Sequence, residues 1–263
     1  MRQRTATLVS AVAIFAALLL LWVAIIRVFQ IPPYLLPTPA QVANAAQERL
    51  LSLFTSLGIT AAAAAGGLAA SVVAGVLIAL VFAQWRWVRR MFYPYTILLQ
   101  TVPIIAIAPL ILMWVGNGIF SVGLIAFIIC LSPIIANTTQ GLISVERNLV
   151  DLFLMNNASR LQILLKLRLP HGLPSLFAGI RIASGFAVVG AIIGELFAGS
   201  ARVGVGGLGY AIQYASSQVE TDYLFALVAA ATFLGFAFFF SAMFLEWYFL
   251  HQWHESARTP DED

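Results

Sequence analysis

An all-α integral membrane protein with about six transmembrane helices is the fold class the sequence predicts, and three observations predict it. The 263 residues are 61% hydrophobic and 10% charged, with a mean hydropathy of +0.94, so lipid must solvate most of the chain. Apolar runs near the ~20 residues needed to cross a bilayer recur along it. The Lys and Arg residues are confined mainly to short intervening segments, where they set orientation instead of forming a nucleic-acid-binding patch.

The first run, 8–29, follows Arg2 and Arg4 and invites comparison with a signal peptide. It exceeds the roughly 7–15 residues of a signal core and has no clear small-x-small cleavage site before Arg27, so an uncleaved span is expected. Pro32, Pro33, Pro37 and Pro39 then interrupt any helix, and 40–50 is expected to be a short amphipathic stretch on the outer surface. The second span, 56–84, carries two stripes of small residues: Gly67, Ser71, Gly75 and Ala79, and beside them Ala62, Gly66, Ala70 and Ala74. Such stripes let helix backbones approach closely where lipid supplies little hydrophobic drive. A third span over 92–115 and a fourth over 119–140 are separated only by Gly116-Asn117-Gly118, residues suited to a tight helical hairpin. The fifth span, 174–198, repeats the small-residue device with Gly190, Gly194 and Ala198, and the sixth covers 222–250.

With the N-terminus inside, the inner segments hold Arg2, Arg4, Arg86, Arg89, Arg90, Arg147, Arg160, Lys166, Arg168 and Arg258, against Arg27, Arg49 and Arg202 outside. Both termini are therefore expected in the cytoplasm. Trp85, Trp87, Trp247, Tyr248 and Trp253 suit interfacial anchors at the cytoplasmic edge. The chain thus divides into a first span with its outer connection (1–55), a transmembrane core (56–250) with cytoplasmic helices at about 146–170, and a cytoplasmic tail (251–263).

Those cytoplasmic helices are the most informative segment. Asn148 is expected to cap a helix with Asp151 in its first turn, where an acid opposes the positive end of the helix dipole. Asn157 tolerates the left-handed conformation of a helix-ending turn, and Ser159 can cap a second helix running to Pro170. Two short helices at an angle are the result.

Here the sequence resembles the permease subunits of binding-protein-dependent ATP-binding-cassette importers. Their E-A-A, three residues, G, nine residues, I-x-L-P signature is matched in register by Asp151-Leu152-Phe153, Asn157 and Leu167-Arg168-Leu169-Pro170, although both alanines and the glycine are replaced. Asn157-Ala158-Ser159-Arg160, the run Pro103 to Leu110, and Gly194-Glu195 followed by Gly207-Leu208-Gly209-Tyr210 are similar to the nitrate/sulfonate/taurine/bicarbonate-type branch. The resemblance implies a type I importer permease fold in a bacterial-type inner or plasma membrane. It also implies an ATPase partner that binds ATP and Mg, an extracytoplasmic substrate-binding protein, and a second permease copy, as a homodimer. Asp151, Asn157, Ala158, Ser159, Arg160, Leu169 and Pro170 would then form the ATPase-coupling surface.

Other motifs carry less. Gly204-x-Gly206-x-x-Gly209 has the dinucleotide spacing without a βαβ context and is expected to be a flexible loop. No Gly-x4-Gly-Lys-Ser/Thr is present, so ATP must be bound elsewhere. His251, His254 and Glu255 do not specify a closed metal shell, no catalytic constellation is visible, and Cys130 fills an apolar run. Ionisable residues inside spans are costly, which singles out Arg181 and Glu195. They are fourteen residues, or about 21 Å of helix, apart and cannot pair with each other. With Gln100 they are the candidates for the translocation pathway or gate, interhelical bonding being the alternative for both charges. Pro103, Pro109 and Pro133 are expected to bend their helices and free carbonyls toward a cavity. An inward permease for a small solute is therefore expected, either a nitrate-, sulfonate- or bicarbonate-like anion or a pyrimidine-type vitamin precursor. An ion-coupled secondary transporter or a membrane enzyme is the alternative.

Overall fold

A computed structural model describes residues 2–199 and 206–251, and all the regular structure it describes is helical. Helix α1 (Arg2–Val28) is followed by a proline-rich turn and α2 (Pro39–Glu48). Thr38 and Gln41 form a reciprocal capping box at the start of α2, with Pro39 at a first-turn position that needs no N–H. Then come α3 (Leu50–Gln84), α4 (Arg86–Thr101), α5 (Ile104–Val115) and α6 (Ile119–Ile143). Beyond them lie α7 (Arg147–Met155), α8 (Arg160–Ile163), a π turn (Leu164–Arg168), α9 (Leu169–Ala198), α10 (Leu208–Ser217) and α11 (Thr221–Leu250).

Four helical stretches are each long and apolar enough to cross a membrane: α3, α6, the continuous run Arg160–Ala198 and α11. The pair α4 and α5 makes a fifth when counted as one bent span, and α1 carries a shorter apolar stretch, Ala13–Val28, among its described residues. Half of the apolar window of α6 is buried, against 22% for α11, so α6 is central and α11 peripheral. The core is the crossing of α3, α6 and α9. Ala126 is pressed from both sides: a Cβ on Gly67 would sit 2.7 Å from the Ala126 Cβ, and one on Gly190 would sit 2.9 Å from its Cα. α11 lies against α9 and α2, and Trp22 of α1 meets Phe225 of α11 at 5.8 Å between ring centroids.

The third span is not the single helix expected over 92–115. It breaks between Thr101 and Ile104, and its halves are bent by 99°. Pro103 bars the preceding residue from the helical region, and Val102 is extended (φ −69°, ψ 122°). Pro109 and Pro133 stay inside their helices. The turn after α5 is glycine-dependent as expected, with Gly116 at φ 93° and Gly118 at φ 153°.

The start of the fifth span also differs from expectation. The helix does not begin at 174 but runs unbroken from Arg160 to Ala198, 39 residues or about 58 Å, against a hydrocarbon core of about 30 Å. A regular turn before Pro170 would press its ring on the Lys166 carbonyl and lose a hydrogen bond. The π turn widens the helix there, with the Leu169 N–H donating to the Leu164 carbonyl.

An exposed elbow and a buried carboxylate latch

At one end, α7 and α8 form an elbow. Asn157 has φ 54°, and the Ala158 N–H donates to Phe153 O (3.0 Å) while the Asn157 N–H donates to Leu154 O (3.0 Å). This is the bonding pattern of a Schellman turn, which a left-handed residue makes possible. Ser159 then caps α8: Gln162 N donates to Ser159 Oγ (3.2 Å), and Ser159 N donates to Gln162 Oε1 (2.7 Å). Asn148 is not the cap of α7, because Glu146 occupies that position without a side-chain bond and Asn148 lies inside the helix. Asp151 meets Arg147 only at 3.9 Å, on the exposed side.

Among the coupling candidates, Asp151, Asn157, Ser159 and Arg160 are exposed at the elbow and Ala158 is half-buried. Leu169 and Pro170 lie farther along, at the root of α9, where Leu169 packs on the cluster of Ala79, Ala83, Leu142 and Leu164. Arg168 anchors that root by donating to Ala83 O in the last turn of α3 (2.6 Å), a favourable place for a cation. The elbow surface is unusually apolar: Leu152, Leu154, Met155, Leu161 and Leu165 are all more than half exposed.

At the far end, Glu195 is 4% exposed and joins three helices. Its Oε2 accepts from Thr60 Oγ1 of α3 (2.8 Å) and from Gly209 N in the first turn of α10 (2.9 Å). Thr60 Oγ1 in turn accepts from Leu208 N (2.8 Å), so two otherwise orphaned donors of α10 are satisfied by side chains from other helices. The single Thr60 proton has two acceptors in reach, Glu195 Oε2 and the more distant Ser56 O at 3.1 Å. Gly207 and Gly209 are glycines because Glu195 fills their side-chain space: a Cβ on Gly207 would overlap its carboxylate, and one on Gly209 would lie 2.8 Å from its Cβ. Glu195 Oε1 has no partner among the described residues, and the residue borders a cleft of about 320 Å³ with Ile59, Gly118 and Gly206. The glycine motif expected to be a flexible loop is thus in part the start of α10, while Gly204 lies outside the described residues. Helix α10 itself escaped notice, and the glycines following Glu195 were its signal.

The latch predicts a split between two variants. Glu195→Gln keeps an acceptor for Gly209 and Thr60 and should melt like wild type. Glu195→Ala strands the Gly209 N–H, while Thr60 falls back on Ser56 O, and should cost about 1–3 kcal/mol in thermal unfolding of the detergent-solubilised protein.

Arg181 does not meet Glu195. It donates to Glu246 of α11 (3.0 Å), an acid in the sixth span that hydropathy alone conceals and that could have been picked out as a second charge needing a partner. Gln100 stands at the bend of the third span and borders a cleft of about 510 Å³ with Asn137 and Phe186. Trp253, His254 and Glu255 lie outside the described residues, as does Arg202.

A second tie at the far end joins the α2–α3 junction to the start of α11. Arg49 donates to both Glu220 oxygens, one at 2.8 Å, and its guanidinium lies 4.8 Å from the Tyr223 ring centroid. The hydrogen bond to Arg49 lowers the Glu220 pKa, and the same bond raises that of Arg49. A depressed carboxylate stabilises the fold above its unfolded value near 4.3 and ceases to do so as pH falls through the folded value. The pair is partly exposed, so wild type should exceed Glu220→Gln by no more than about 1 kcal/mol at neutral pH. That difference should close in melts taken below about pH 4.

A bundle of long apolar spans with a capped, exposed elbow at one end and a helix-joining latch at the other is the architecture of a multi-pass membrane protein. The chain belongs to the binding-protein-dependent transport system inner membrane component family, which matches residues 71–250. It is 35% identical to the formylaminopyrimidine transport permease protein ThiX of Halalkalibacterium halodurans, over 84% of this chain and 86% of the relative. It is 32% identical to the riboflavin transport system permease protein RibX of Chloroflexus aurantiacus, over 87% of this chain and 84% of the relative. With the taurine transport system permease protein TauC of Escherichia coli the identity is 28%, over 86% and 83%. The chain is therefore an importer permease of the sulfonate/taurine/nitrate-type branch, a transport subunit and not an enzyme. Its family works with an ATPase and a substrate-binding protein.

Proposed function

We propose that two copies of this chain line one inward pathway for a small solute, with an ATPase seated on each elbow and a binding protein at the latch end. The excess of Lys and Arg at the elbow end supports a cytoplasmic position for that end and for both termini. The observation that carries the reading is an exposed apolar elbow fixed to a continuous helix. An apolar surface of that kind outside the hydrocarbon calls for a partner. Helix α9 then transmits the movement, because α8, the π turn and α9 share one axis up to the carboxylate that pins α10 and α3.

Asp151, Asn157, Ala158, Ser159 and Arg160 form the ATPase contact, while Leu169 and Pro170 shape the root of the lever. Glu195 holds the outer gate, Gln100 borders the pathway, and the Arg181–Glu246 pair fixes α9 to α11 in a neutral form. ATP and Mg act in the partner. Co-purification from membranes tests the assembly: an ATPase should accompany the intact chain and be lost when 146–160 is replaced by a short polar linker. Accumulation of solute by vesicles holding this polypeptide alone would overturn the reading. Full uptake by Glu195→Gln at normal expression would remove the carboxylate's charge from the gate.

A further inference from the structure

The cleft at the bend of the third span is the feature whose chemistry speaks to the solute. Its volume of about 510 Å³ lies within the roughly 300–1,000 Å³ of small-molecule sites. None of its lining residues is ionisable. The Gln100 side chain is exposed and bonds to no other described residue; Asn137 uses one side-chain N–H on Pro133 O (2.8 Å) and keeps its side-chain oxygen free among the described residues. The 99° bend also brings the carbonyl end of α4 beside the amide end of α5 at the rim, where Leu99, Val102 and Ile104 contribute. Leu98 O is taken by Thr101 Oγ1 (2.9 Å), and helix geometry leaves the later carbonyls of α4 as acceptors. Phe186 and Ile182, one turn apart on α9, supply apolar wall.

An anion held there would give up water and gain no cation. Among the described residues the basic side chain nearest in sequence is Arg181, which turns to α11 and is neutralised by Glu246 at 3.0 Å. Burying a charge unpaired is far costlier than burying a neutral polar group that is hydrogen-bonded. We infer that this cleft is the solute's resting site in the pathway and that it takes an uncharged, flat solute with amide-like edges, of the heteroaromatic kind, and not a sulfonate or other small anion. Gln100 and Asn137 bond the edge, and Phe186 and the aliphatic wall cover a face. The inference rests on the permease reading above and names the substrate class of that pathway.

The test uses the permease–ATPase complex in lipid nanodiscs, without binding protein, and two probes: cytosine, which is neutral and flat, and methanesulfonate. Saturation-transfer NMR should show contact for cytosine and none for methanesulfonate. Gln100→Leu should weaken cytosine binding by about threefold to tenfold, the loss of one hydrogen bond, and Ile182→Trp, which fills the cleft from an exposed position, should abolish it. An unchanged elution profile on size exclusion checks that each variant is folded. Methanesulfonate contact that either variant removes would overturn the inference, and so would cytosine contact that is absent or indifferent to both. The permease reading stands or falls separately, on whether the ATPase co-purifies and on the elbow variants below.

Discussion

Asn157→Val is expected to lower ATP-driven uptake by about fivefold to a hundredfold, while Asn157→Gly stays near wild type. Asn157 sits at φ 54°, where a β-branched residue is a steric outlier costing about 1–3 kcal/mol and glycine pays nothing. The penalty falls on the two backbone bonds, to Phe153 O and Leu154 O, that close the turn between α7 and α8. Relief comes most easily by opening that turn, which swings Leu152, Leu154 and Met155 away from Leu161 and Leu165 and divides the exposed apolar surface of the elbow. Since about 1.4 kcal/mol is a factor of ten, that strain shifts the equilibrium toward the open turn by about fivefold to a hundredfold. Proteoliposomes with ATPase and binding protein give the measurement: uptake and binding-protein-stimulated ATP hydrolysis should fall together in the valine variant and persist in the glycine variant. Retention of both by Asn157→Val would show that the elbow does not carry the force.

What the sequence disclosed about this region was local chemistry. A left-handed Asn157 and a capping Ser159 are properties of side chains acting within five residues of themselves, and both stand as expected. Asn148 was a worse guide, since a capping residue two positions inside the true start is common where Glu146 and Arg147 offer no apolar boundary. Proline was read correctly as a bender at Pro103 but not as the cause of a 99° break, because the angle depends on α4 packing against α3 and α6 while α5 packs against α6 and α9. The latch was the least legible part. Thr60 and Glu195 are 135 residues apart, and nothing near Gly207 and Gly209 announces that a distant carboxylate occupies their side-chain space. The Arg181–Glu246 pair is of the same kind, since it spans 65 residues.

The small-residue stripes of α3 give the sharpest contrast between pattern and packing, and the second large effect. Both stripes look alike in sequence, yet Gly67, Ser71, Gly75 and Ala79 are buried while Ala62, Gly66 and Ala70 are exposed. Gly67→Leu should therefore melt well below wild type and yield little folded protein, and Gly66→Leu, one residue away, should express and melt like wild type. A Cβ at Gly67 would lie 2.7 Å from Ala126 Cβ and 2.9 Å from Phe127 N, and neither can retreat, because Gly190 of α9 presses on Ala126 from the other side. At Gly66 a Cβ meets nothing within 4 Å. Overpacking a close contact costs about 1–3 kcal/mol, occasionally more, and leucine adds three further heavy atoms beyond the Cβ. Spreading α3 from α6 also breaks the Ser71 Oγ to Phe127 O bond (2.7 Å), one turn along, an interhelical tie worth about 0.6 kcal/mol on average in membranes. Together these come to about 2–4 kcal/mol, a large share of the roughly 5–15 kcal/mol by which a typical domain stays folded. Monodisperse elution and thermal unfolding of the two variants decide the matter: equal behaviour of Gly66→Leu and Gly67→Leu would mean that the α3–α6–α9 crossing at Ala126 is not the packed centre of the permease.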